Sequence, residues 1–143
     1  MDKSGIIEKV ASTFHERWKE ARLYKPMLEK SEDKEWNMKH WTDMVDIANT
    51  EFEELPSNWK YENIEAAEVA VDLVYDKVIN WEEITSEMIE EMAGVVHIKW
   101  LERNWVKWSL ENQRVDYENL SEEEKEKDRA QIELAIQIIK SEK

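Results

Sequence analysis

Cysteine is absent from this 143-residue chain, which removes disulfides, thiolate metal sites and thiol nucleophiles together. Glycine and proline occur twice each, where average usage gives about ten and about seven. An all-β sandwich needs many tight turns that those residues make cheaply, so that architecture is excluded. A Gly-rich phosphate loop or an EF-hand loop cannot be written with two glycines. Long apolar runs are missing too. No stretch approaches the roughly 20 apolar residues of a membrane span, and the opening MDKSGIIEKVAS has no apolar core of a signal peptide. A cytoplasmic protein is expected.

Charge is plentiful and one-sided. Thirty-four acidic residues stand against 20 basic ones, a formal net charge of −14. Nucleic acid and anionic membrane surfaces would be repelled by that surplus, whereas a basic protein surface would be attracted. Enzyme signatures are lacking. The positions three before His15, His40 and His97 are Ser12, Asn37 and Gly94, so the Glu-x-x-His pair of di-iron bundles is absent. His15-Glu16 is followed by Arg17-Trp18-Lys19, which is not the zinc-protease motif. No catalysis, cofactor or metal is expected.

What is there has helical periodicity. Ile6, Ile7, Val10, Ala11, Phe14, Trp18 and Ala21 recur at steps of three and four, predicting a helix from Ser4, its expected N-cap, to about Leu23. Trp36, His40, Trp41, Met44, Val45 and Ala48 suggest a short extra helix. Ile64, Ala67, Val71, Val74 and Val78 mark a second long helix from about Asn58 to Val78. Thr85 can cap a third, with Ile84 and Ile89 as a hydrophobic staple, running to about Trp108. Ser109 to Tyr117 reads as a loop. Ser121 and Glu124 form a capping box for a last helix that turns Ile132, Ala135, Ile136 and Ile139 inward.

The chain also repeats itself. FHERW, Phe14 to Trp18, matches VHIKW, Val96 to Trp100, at an offset of 82; FEELPSNWK, Phe52 to Lys60, matches YENLSEEEK, Tyr117 to Lys125, at an offset of 65. The difference of 17 is an insertion in the first repeat that contains Trp36, His40 and Trp41. The expectation is one all-α domain over 1–143, built from two pseudo-symmetric helical hairpins. The first covers 4–79 with the short extra helix and the second covers 84–143.

The second repeat carries an ordered run: His97, Trp100, Arg103, Trp105, Tyr117, Leu120, Ser121, Glu122, Asp128 and Arg129. This run resembles the ryanodine-receptor repeat, or RyR domain, over residues 90–143. The first repeat keeps His15, Trp18, Phe52 and Leu55, with Asn63 and Ile64 where the Asp-Arg pair would stand. The resemblance implies a tandem, stand-alone module of the kind found in bacteria and phages. A nucleotide-derived ligand is implied with it, and so is a counter-defence role in the host cytoplasm if a phage encodes the chain.

The candidate ligand site is therefore placed in the second repeat: His97, Trp100, Arg103, Trp105, Arg114, Tyr117, Asp128 and Arg129. Trp can stack a ring, a guanidinium can fork a phosphate, and His can donate to either. The same residues also read as packing, with Trp100 mostly buried between Val96 and Leu101 and His97 bonded to a backbone or carboxylate oxygen. Trp36 and Trp41, on the insertion, are candidates for an exposed partner-binding edge. Two functions follow from these readings. One is a non-enzymatic module that captures a nucleotide-like molecule. The other is an acidic, DNA-mimic-like inhibitor of a basic, nucleic-acid-binding protein, to which the run Glu118 to Asp128 would contribute.

Overall fold

The computed structural model describes residues 2–104 and 116–143. Four long helices carry the fold: α1 over Lys3–Ala21, α3 over Ser57–Ile79, α4 over Ser86–Asn104 and α5 over Glu122–Glu142. A short helix, α2 over Lys34–His40, lies between α1 and α3. Among the described residues the fold is all-α apart from one small hairpin, and no helix there is long and apolar enough to cross a membrane.

Helix starts follow capping chemistry. Asp2, not Ser4, caps α1, and its carboxylate accepts the Ser4 N–H at 3.1 Å. A carboxylate two residues earlier takes the cap in place of the serine hydroxyl. Thr85 Oγ1 accepts from the Met88 N–H at 3.2 Å, and Ser121 Oγ from the Glu124 N–H at 3.2 Å. Helix ends are less ordinary. α1, α2 and α3 each close with a backbone bond from one residue to the carbonyl five before it: Tyr24 to Lys19, Thr42 to Asn37 and Glu82 to Lys77. This is the Schellman ending, whose left-handed position favours glycine. Here it holds Leu23 (φ 56°), Trp41 (φ 58°) and Trp81 (φ 59°). The turn at Leu23 stops α1 at Ala21, which is exposed, two residues short of the expected end.

The segment between α1 and α3 holds an element that the helical spacing missed. β1, Leu28–Lys30, pairs antiparallel with β2, Met44–Asp46, and α2 spans the hairpin between them. Trp36, His40 and Trp41 share the expected helical region, but Met44 and Val45 belong to a strand. The hairpin is held by polar side chains. Asp46 Oδ1 accepts from the Met27 N–H at 2.9 Å and Trp59 Nε1 donates to the Lys30 carbonyl at 3.0 Å.

The core is a single cluster. Ile6 and Val10 of α1, Val71 and Val74 of α3, Met92 and Val96 of α4, and Ile132 and Ile139 of α5 meet in it. α5 buries Leu134 and Ile138 in addition to the expected residues, and Ile136 is half-buried. α1 and α3 run antiparallel. Lys3 at the start of α1 pairs with Asp72 late in α3 at 2.8 Å, while His15 and Lys19 reach Thr50 and Glu51 just before α3.

The two matched stretches fold alike. Phe52–Glu54 and Tyr117–Asn119 each form one turn of 3-10 helix that leads into α3 and α5. The next residue, Leu55 or Leu120, is extended (φ −68° and −72°) and buried. On the other helices His15 stacks on Trp18 at 5.9 Å and His97 on Trp100 at 6.3 Å. Both histidines are buried.

Candidate functional site

The residues of the second-repeat motif do not converge on one place. Trp105 and Arg114 lie outside the described residues. Tyr117 and Arg129 share Glu90 of α4, and Asp128 faces His97 on the same helix.

Arg129 is committed to carboxylates. Its guanidinium bonds Glu90, Glu122 at 3.0 Å and Glu126 at 3.1 Å. Tyr117 donates its hydroxyl to the other oxygen of Glu90 at 2.9 Å. The Arg129 bond holds the Glu90 carboxyl below its usual range, with the Tyr117 hydroxyl adding to the effect. Burial and the Glu90 charge push the Tyr117 phenol upward. With three carboxylate partners, this guanidinium has little left to offer a phosphate. It ties the start of α5 to α4.

Asp128 sits one residue earlier and turns inward, as adjacent positions on a helix must. Its side chain is 13% exposed and its Oδ2 lies 3.8 Å from His97 Nδ1. Burial pushes the Asp128 carboxyl up to about 7, the neighbouring Glu124 charge adds to this, and Lys127 opposes it. In the first hairpin the equivalent histidine, His15, donates from Nε2 to the Thr50 carbonyl at 2.7 Å. Each histidine is thus buried beside an oxygen of the opposing helix or the segment leading to it, which is the packing role.

Trp100 and Arg103 belong elsewhere. Trp100 is half-buried, contrary to the expectation of a mostly buried side chain; Trp18, also half-buried, packs against the core. Both line a groove of about 610 Å³ between the two hairpins. Phe14 and Trp18 of α1, Trp59 of α3 and Trp100 of α4 supply aromatic surface to it. Trp59 donates its N–H to the Lys30 carbonyl at 3.0 Å and packs its ring against the core beside the groove. Arg17, Arg103 and Lys127 bring positive charge against the single carboxylate of Glu62. Arg103 Nε lies 3.9 Å from Glu62, beyond hydrogen-bond reach. Among the described residues, Arg103 Nε and Gln131 Oε1 are buried without a hydrogen-bond partner, and both side chains line the groove.

The second-repeat reading therefore missed half of the groove, because Phe14, Arg17, Trp18, Trp59 and Gln131 come from other parts of the chain. The repeat itself held the signal. Trp18 is the counterpart of Trp100, and two copies of a half-exposed Trp facing each other across two hairpins make a cleft between them.

Trp36 and Trp41 separate as well. Trp36 is half-buried, donates from Nε1 to the Glu54 carbonyl at 2.8 Å and stacks on His40 at 4.0 Å, so it anchors the insertion to the body. Trp41 is 94% exposed. Among the described residues no group of three His, Asp or Glu side chains is placed to hold a metal ion.

Comparison of the chain with family models, with curated proteins and with solved structures finds no match in any of the three. The class is accordingly defined by the molecule itself: a helical protein of two similar hairpins with an aromatic, cation-lined groove between them.

Proposed function

We propose that the chain is a non-enzymatic binding module that holds a nucleotide-derived small molecule in the groove between its hairpins. The observation that carries this reading is the lining. Four aromatic rings and three cations surround one cavity in a chain whose net charge is −14. Cations are scarce here and most carboxylates lie elsewhere, so the groove is a local inversion of the protein's field. A base stacks on an indole, and a phosphate takes a guanidinium fork. Arg103 Nε–H and Gln131 Oε1 add a donor and an acceptor that lack partners of their own. Leaving such atoms buried and unpaired costs about 1–3 kcal/mol each, which a ligand with the reverse pattern would recover. A protein that binds such a molecule without converting it acts as a sponge, the phage-type counter-defence role that the RyR-domain resemblance implies.

The test is a thermal-shift screen against nucleotides and cyclic nucleotides. A ligand at a hundred times its dissociation constant adds roughly 2.7 kcal/mol of stability. Calorimetric titration of the stabilising nucleotide then compares the wild type with Trp100→Ala, Arg103→Ala and Arg129→Ala. The first two are expected to lose binding and the third to keep it, because Arg129 serves α4–α5 contacts. If no nucleotide shifts the melt, or if folded Arg103→Ala and Trp100→Ala bind like the wild type, the groove is not the site. Salt-sensitive inhibition of a basic protein then becomes the better reading of the charge.

A further inference from the structure

Six of the ten exposed large apolar side chains among the described residues fall within 23–44: Leu23, Tyr24, Leu28, Met38, Trp41 and Met44. They gather at one end of the bundle. α1 ends at Ala21 and the chain turns at Leu23, and the insertion is tied to the start of α3 by Asp33, which accepts the Ser57 N–H at 3.0 Å. Register places Leu28, Lys30, Met44 and Asp46 on one face of the β-hairpin. Met38 and Trp41 are one helical turn apart.

Two of these residues are kept at a cost. Leu23 and Trp41 occupy left-handed Schellman positions, where glycine is free of strain and a side chain is not. They are 75% and 94% exposed, so no packing within the chain offsets that strain. A strained backbone supporting a solvent-exposed Trp is a reason to look for something that covers it.

The charges say what covers it. Residues 22–44 hold five basic side chains (Arg22, Lys25, Lys30, Lys34, Lys39) and five acidic ones (Glu29, Glu32, Asp33, Glu35, Asp43). The whole surplus of −14 therefore lies outside this segment. Among the described residues, none of Lys25, Lys30, Lys34 and Lys39 is ion-paired, nor are Glu29, Glu32, Glu35 and Asp43. Elsewhere Lys3, Lys9, Lys19, Lys99, Lys125, Lys127 and Arg129 have carboxylate partners, while Arg17, Lys60, Lys77, Lys140 and Lys143 have none among the described residues, so what sets this segment apart is its neutral sum beside exposed apolar side chains. A basic partner would be drawn to the acidic body and not to this neutral end. A surface that is apolar at its centre, neutral in sum and carries unpaired charges of both signs is complementary to itself.

We infer that this end of the bundle is a self-association face, on which a second copy of the chain docks by an isologous twofold contact centred on Trp41. Each copy's lysines then meet the other's carboxylates, and the two acidic bodies point away from each other.

Sedimentation equilibrium of the full chain from about 5 to about 500 μM tests this, a range that brackets micromolar association. The wild type is expected to pass from monomer to dimer and to stop there. Trp41→Gly is expected to weaken the dimer by at least roughly tenfold, as loss of a central interface Trp does, without a lower melting temperature, since glycine suits φ 58°. Trp81→Gly makes the same relief of strain at the opposite end of α3 and is expected to leave the dimer unchanged. Three results would overturn the proposal: a wild type monomeric throughout, a Trp41→Gly dimer as tight as the wild type, or equal weakening by both variants. Nucleotide binding by monomeric Trp41→Gly is a separate readout, because the groove is built without Trp41.

Discussion

Replacing Asp128 by Asn should stabilise the protein at alkaline pH and do little at acid pH. The unfolded carboxyl titrates near 3.8 and the folded one at about 7. Between those values the native state holds a proton that the unfolded chain has released, so stability falls as pH rises. The full penalty is present above about pH 7 and is gone below about pH 4. At 1.36 kcal/mol per pH unit the span from 3.8 to about 7 corresponds to about 4 kcal/mol. Relaxation around a side chain still 13% exposed brings the expected gain nearer to about 2 kcal/mol. Asn keeps the shape of the protonated acid and its capacity to donate. Urea melts of both proteins at pH 4.5, 6 and 8 give the difference directly. Asp128→Asn should match the wild type within about 1 kcal/mol at pH 4.5 and exceed it by about 2 kcal/mol at pH 8. His15 titrates with the opposite sign: burial, partly offset by the Thr50 bond, lowers its pKa, so its contribution is lost as pH falls below about 6.5. That term is common to both proteins and cancels. A difference that does not change with pH would show that Asp128 is ionised throughout, and the assignment of its environment would be wrong.

Ile132 is fully buried at the centre of α5, and Ile132→Ala should cost about 2–5 kcal/mol in denaturant melts. Gly94→Ala should stabilise α4 by about 0.5–1 kcal/mol, because a Cβ there meets only the Tyr117 ring at 3.9 Å, an ordinary contact; a destabilised variant would mean that α4 and Tyr117 pack more closely than this. Trp100→Ala should cost less than Ile132→Ala, about 1–2 kcal/mol, because the indole is half-buried at the groove and not in the core; a loss above about 3 kcal/mol would return it to the core.

Local physics made the helices legible in the sequence. Apolar steps of three and four, the Thr85 and Ser121 hydroxyls before α4 and α5 and the scarcity of glycine and proline are all short-range signals. They placed α3 and α5 within a residue or two of their ends. The likeness of the stretches at Phe52 and Tyr117 was legible as a repeat, but that each is a 3-10 turn followed by an extended leucine was not, and only the structure shows it. The β-hairpin was not legible either. Its strands are three residues long and lie 13 residues apart, and what fixes them is Trp59 of α3 bonding the Lys30 carbonyl and Asp46, the last residue of β2, capping the Met27 N–H. Nor could the sequence say which guanidinium is available. Arg103 and Arg129 look alike in the motif, but α4 carries Glu90 opposite Arg129, whereas Arg103 emerges beside Glu62 at a distance that leaves its Nε unbonded. Whether a charge is spent or available depends on what packing brings near it, and helix packing joins residues dozens of positions apart. The sequence by itself determined helical class, charge and internal repetition, all of them sums or short-range patterns. Tertiary structure decided that the groove lies between the hairpins, because a cleft exists only where two separately specified surfaces meet.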